Sequence, residues 1–162
     1  MQKTARMAGF LAAHGIWSVS DGEALIPLFG YQDTNGDRAM DRLVFDDIAD
    51  AAKAGQEALR TGREDWVGAV LVADGYLRSD ARRIDALIID VVEYLPTRQS
   101  MRMAIPYRPQ PQGFAVYRPK FLEVPGRYES DQSGLAESFF AGVDSHEQAA
   151  AVWDAHLIDQ SV

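Results

Sequence analysis

Three histidines, His14, His146 and His156, are the side chains whose type best suits acid–base work near neutral pH. Their spacing does not assemble a site. His146 and His156 lie ten residues apart, unlike the i, i+4 pair that chelates zinc from one helical face. His14 precedes Gly15, where a first helix is expected to end and a cationic imidazole would complement the helix dipole. The absence of cysteine removes thiolate zinc sites, iron–sulfur ligation, disulfides and cysteine nucleophiles. The signatures G-x-S-x-G, G-x-x-x-x-G-K-[ST], H-E-x-x-H and G-x-G-x-x-G do not occur. Among the carboxylates, Asp90 stands between Ile88 and Val92 on an otherwise apolar strand face, where burial raises a carboxyl pKa. Arg102, Arg118 and Lys120 on the following strands are its expected partners, and Asp90 with Arg102 would be the polar handles of a pocket between sheet and helices. Asp74, just before Gly75, reads as a polar residue at a bulge.

The densest oxygen-bearing motif is Asp33-Thr34-Asn35-Gly36-Asp37-Arg38-Ala39-Met40-Asp41. Asp33, Asn35, Asp37 and Asp41 alternate in the way that lets the side-chain oxygens of one loop converge on a hard cation such as Ca²⁺. Over these nine residues the phasing resembles the short calcium loops of dockerin modules and integrin-type propeller repeats, D-x-N-G-D-G-x-x-D. That resemblance implies a calcium-stabilised module with those four residues as ligands. The chain departs from the pattern at Arg38, which replaces the turn glycine, and Val44 stands where an EF-hand places its bidentate Glu. The plainer expectation is a tight Asn35-Gly36 turn between a strand and a helix, with Asp41 or Asp46 as a cap.

Charge is unevenly distributed. The 162 residues carry a formal net charge of −8. Residues 98–127 hold six Lys and Arg against Glu123, whereas residues 128–162 hold seven carboxylates and no Lys or Arg. Acidic C-terminal helices packed near basic strands would neutralise them internally; an exposed acidic face would instead capture a basic partner through electrostatic steering. Tyr94, Tyr107, Tyr117 and Tyr128, with Arg108 and Arg118 among them, form a possible sheet-face platform for a partner or a single strand. A pI near 4.8 argues against binding double-stranded nucleic acid, whose phosphates need a basic surface.

The elements that must position these residues read as one soluble α+β domain over residues 1–162, a β-hairpin plus a four-strand antiparallel meander packed with three to four helices. An amphipathic N-terminal helix comes first, since the apolar run 7–13 after Lys3 and Arg6 is too short and too rich in Ala and Gly for a signal peptide. Segments 16–20 and 24–31 form the expected hairpin, joined by Asp21-Gly22-Glu23. A helix follows within 42–60, starting near Phe45 and stopping at Gly62. The meander uses segments 66–77, 84–95, 101–108 and 114–122, with 67–73 central and Glu93 opposite Arg102. Helices return within 135–158, the second behind a Ser145-x-x-Gln148 capping box.

No apolar run is long enough for a membrane helix, so a cytoplasmic protein without membrane contact is expected. The leading functional expectation is a non-enzymatic, bacterial-type interaction protein, an accessory, adaptor or toxin-neutralising immunity protein that presents an acidic surface to a basic protein partner. The alternatives are a small enzyme or small-ligand binder, with Asp90, Arg102, Arg118, Tyr107 and Tyr117 as binding residues, and the calcium-stabilised module. Calcium is the one cofactor any motif suggests.

Overall fold

The first eighteen-residue helix explains its own composition once its surroundings are known. In the computed structural model, which describes residues 1–79 and 82–162, α1 spans Gln2–Val19 and buries most of its circumference, from Thr4, Ala5 and Ala8 to Ala12, Gly15 and Val19, leaving a narrow exposed stripe at Lys3, Arg6 and Trp17. Its many Ala and Gly residues fit that burial, because α1 lies between the sheet on one side and two C-terminal helices on the other. Small residues let both neighbours approach. A Cβ on Gly9 would sit 1.8 Å from the Phe139 carbonyl oxygen, and one on Gly142 would sit 1.9 Å from that of Arg6. The expected strand over 16–20 is therefore the last turn of α1, and no hairpin forms around Asp21-Gly22-Glu23.

The hairpin instead joins β1 (Leu28–Asp33) to β2 (Arg38–Arg42), with Leu28 opposite Arg42 and Gln32 opposite Arg38. α2 (Ile48–Thr61) follows, its N-cap Asp47 accepting the Ala49 amide at 2.6 Å. It starts past Phe45 because Asp47, not Asp41 or Asp46, supplies the cap. It ends at Gly62 as expected, in a left-handed conformation (φ 66°) with the Tyr94 ring against the space a Cβ would need.

β3 (Trp66–Ser79), β4 (Arg82–Glu93) and β5 (Gln99–Arg108) are long antiparallel neighbours, and the fourth expected strand divides into β6 (Ala115–Val116) and β7 (Lys120–Glu123), both paired with β5. Among the described residues the seven strands form one antiparallel sheet with path β2-β1-β3-β4-β5-β6. β3 is interior, as its unbroken apolar run requires. Val70 and Val72 face α1, together with Leu87, Ile89 and Val91 of β4 and Met101, Met103 and Ile105 of β5. Ala69 and Leu71 face the other way, joining Phe29, Leu59 and Trp66 beneath α2.

Register corrects one expected ion pair. Arg102 lies opposite Asp90, while Glu93 lies opposite Gln99 on the α1 face. Glu93 is buried, accepts the Thr4 hydroxyl at 3.0 Å and contacts the amino group of Met1.

Past a 3₁₀ turn at Gly126–Tyr128, α3 (Ser133–Asp144) and α4 (Glu147–His156) stack on α1. The Ser145-x-x-Gln148 box does not form. Ser145 ends α3, its hydroxyl donating to the Gly142 carbonyl, and His146 caps α4 by accepting the Ala149 amide. The architecture is α+β, with sheet faces covered by α2 on one side and α1 then α3–α4 on the other. Among the described residues no helix is long and apolar enough to cross a membrane.

Candidate functional site

The expected polar handles pair with each other. Asp90 Oδ1 lies 3.2 Å from Arg102 Nε, an ion pair on the face away from α1, and Arg102 also lies opposite Glu123 of β7. Burial raises the Asp90 carboxyl above its ordinary range, opposed by Arg102 and assisted by Glu123. Neither Asp90 nor Arg102 lines any of the clefts described below.

Tyr107 and Tyr117 do meet at a cleft. It has a volume of about 610 Å³, at the end of the sheet reached by the β3–β4 hairpin, and both tyrosines line it with arginines from β4 and β5. The Tyr107 hydroxyl donates to Asp74 at 2.9 Å, and burial together with that carboxylate pushes its pKa far up. Desolvation likewise raises Asp74, against the bonds it receives from Tyr107 and the Gly75 amide. The phenol is thereby a fixed donor, unsuited to act as a base near neutral pH.

Four of the five remaining basic side chains of residues 98–127 bond within the molecule, and Arg127 only stacks over its neighbour Tyr128. Arg98 donates to the Leu59 and Arg60 carbonyls at the C-terminus of α2, at 3.2 and 2.9 Å. Arg108 Nε holds the Gly113 carbonyl at 2.6 Å, Arg118 pairs with Asp159, and Lys120 meets the Val162 carbonyl. The segment 157–162 thus lies along β6 and β7, fixed also by the Ile158 amide on the Val116 carbonyl and the Arg118 amide on that of Gln160.

The acidic residues of the tail behave differently. Asp159 is paired and Asp131 accepts the Ser133 amide at 2.9 Å. Glu137, Asp144, Glu147 and Asp154 are exposed on α3 and α4 and, among the described residues, make no ion pair within 4.0 Å. Each helix places its two carboxylates seven residues apart, on one stripe. Lys3 and Arg6 share only a shallow groove with Glu137.

Asp33 spends one oxygen on its own turn, accepting the Asn35 and Asp37 amides at 2.9 Å each. Asp41 is at the other end of β2, opposite Phe29. Asp33, Asn35, Asp37 and Asp41 are therefore spread along a hairpin, and among the described residues no three His, Asp or Glu side chains are grouped to hold a metal.

Two features had no sequence signal. His14 lies within α1, not at its end, and its Nδ1 is 3.0 Å from Nε2 of His146, 132 residues away. His146 Nδ1 accepts the Ala149 amide, so its Nε2 carries the proton and donates to His14. Burial, His146 and Arg42, the last 3.4 Å from Nε2, all depress the His14 pKa. The second feature is an exposed apolar segment between β2 and α2, where Val44 and Phe45 are 75% and 51% exposed close to Ile48, with Asp41, Asp46 and Asp50 exposed along the same stretch of chain.

Fold and surfaces define an α+β protein with its basic strands internally engaged and its acidic helices open. Comparison with protein families, curated proteins and solved structures returned no match.

Proposed function

We propose that the protein is a non-enzymatic interaction domain of the accessory, adaptor or immunity type that presents an acidic surface, centred on α3 and α4, to a basic protein partner. The observation that carries this reading is the contrast in how charge is used. Arg98, Arg102, Arg108, Arg118 and Lys120 each have a partner inside the molecule, whereas Glu137, Asp144, Glu147 and Asp154 have none among the described residues. Unpaired surface carboxylates of one sign keep their field in solvent, which accelerates encounter with a cationic surface and repels other acidic proteins.

The test is affinity capture from a native bacterial lysate at low salt, with the wild type beside E137Q/D144N/E147Q/D154N. The expected result is a basic protein retained by the wild type, released at about 0.5 M NaCl by screening, and absent from the quadruple variant although that variant melts at the same temperature. Capture that is indifferent to the variant and to salt, or no capture, contradicts the proposal.

A second reading is favoured by a separate observation, the large cleft at Tyr107 and Tyr117, which lies within the range of about 300–1,000 Å³ common for small-molecule sites.

A further inference from the structure

At the tip-proximal end of the β3–β4 ladder, Arg78 lies directly opposite Arg83. Two like charges facing each other across paired strands cost stability, so an ordinary surface would avoid them. Here both guanidiniums stack over one ring, Tyr76, at 5.6 and 4.5 Å from its centroid. One ring engages both cations. Two residue pairs inward, on the same face of the ladder, Asp85 lies opposite Tyr76, 3.8 Å from Arg83 Nε, too long for a good hydrogen bond.

Two cavities meet at this point. The cleft of about 610 Å³ is lined by Arg82, Arg83 and Arg108, and a groove of about 350 Å³ by Tyr76, Arg78, Arg82 and Arg83. Arg82 and Arg83 belong to both. Arg108 reaches the larger cleft with its Nε already bonded to the Gly113 carbonyl, which fixes the guanidinium and leaves other N–H groups to donate. Asp85 is the one carboxylate side chain among the described lining residues of either cavity. A chain of net charge −8 thus concentrates four guanidiniums at one end of its sheet.

We propose that this end of the sheet is a binding site for a small organic phosphate, with Arg78 and Arg83 gripping the phosphate oxygens in the groove they share with Tyr76 and Arg108 engaging a second anionic group in the larger cleft. Guanidinium donors match phosphate oxygens in planar, bidentate geometry. An oxyanion between Arg78 and Arg83 converts their repulsion into two attractions. The larger cleft has more volume than an inorganic phosphate fills, so the ligand carries an organic part, and Tyr117 offers a ring on that side. This site shares no residue with the carboxylates of α3 and α4, and it stands or falls independently of the protein-partner reading.

The test uses inorganic pyrophosphate and ADP as probes of the full chain, at constant ionic strength set with NaCl, read by amide chemical shifts and by thermal melting. Both probes are expected to bind saturably, with shifts confined to residues 76–85 and 107–117, and to raise the melting temperature as ligands of the folded state do. R83Q and R108Q are expected to weaken binding at least tenfold each. R83Q alone is expected to melt no lower than the wild type without ligand, because it removes the repulsion from Arg78. R118Q, whose guanidinium pairs with Asp159 outside the cleft, binds as the wild type does. The proposal is overturned by unsaturable binding of either probe, by shifts spread equally over Arg60, Arg63 and Arg98, or by R83Q and R108Q binding like the wild type.

Discussion

His14 and His146 show how a side chain's role follows from what it faces. A histidine at the end of a helix gains from being charged; in the middle of α1, against a second imidazole and Arg42, it gains from being neutral. The folded chain gives up the His14 proton at a pH below its free value of 6.5. Between those two values the unfolded chain holds more protons, so this stabilisation is complete above about pH 6.5 and is lost as pH falls through the window. Denaturant midpoints measured from pH 8 to pH 5 are expected to fall in the wild type and to fall less in His14→Gln; identical pH profiles refute this reading. His146→Ala additionally removes the cap of α4 and is expected to cost about 1 kcal/mol at neutral pH. Asp90 and Arg102 make the opposite case, a visible ion pair of small value. A double-mutant cycle of Asp90→Asn with Arg102→Gln is expected to give an interaction energy below about 1 kcal/mol, because the pair is partly solvated and Asp90 is penalised by burial. A value above about 2 kcal/mol would count against that reading.

At the scale of elements, the tightest joint is where α1 meets α3. Gly9 and Gly142 each press against the other helix's backbone, which cannot yield as a flexible side chain does. Gly9→Ala and Gly142→Ala are each expected to cost about 3 kcal/mol or more, whereas Gly126→Ala, with no neighbour closer than 3.9 Å, should stay within about 0.5 kcal/mol. Chemical denaturation of the three variants decides it, and a mild Gly9→Ala would show that α1 and α3 sit farther apart. The same joint explains what the sequence concealed. The long strands β3, β4 and β5 were legible because burial on one or both faces writes itself as alternation or as an unbroken apolar run. The end of α1 was not, since Ile16, Trp17 and Val19 favour strands and Asp21-Gly22 favours a turn, while only the packing of α3–α4 behind α1 makes the segment helical. β2 was invisible for the converse reason. Arg38-Ala39-Met40-Asp41-Arg42 is an edge strand exposed over most of its length, with no hydrophobic period to read.

For the whole molecule, charge was the most legible property and its use the least. Counting residues located the basic stretch and the acidic tail; it could not tell that Arg118 would find Asp159 while Asp144, Glu147 and Asp154 stayed open. Arg78 and Arg83 were equally plain in the sequence, yet their opposition depends on a register that only the paired strands define. The nine-residue acidic loop is the reverse case, a dense local spacing that folding spreads along a hairpin. Millimolar CaCl₂ or a chelator is accordingly expected to leave the melting temperature unchanged within about 1 °C, and a clear calcium-dependent rise would restore the cation site. The claim that α3 and α4 carry the partner surface is tested most directly by amide hydrogen exchange on the complex with the captured basic protein. Protection is predicted across residues 133–156, with none at 82–85 or 107–113. Protection at those latter segments and none on α3 or α4 would contradict the account.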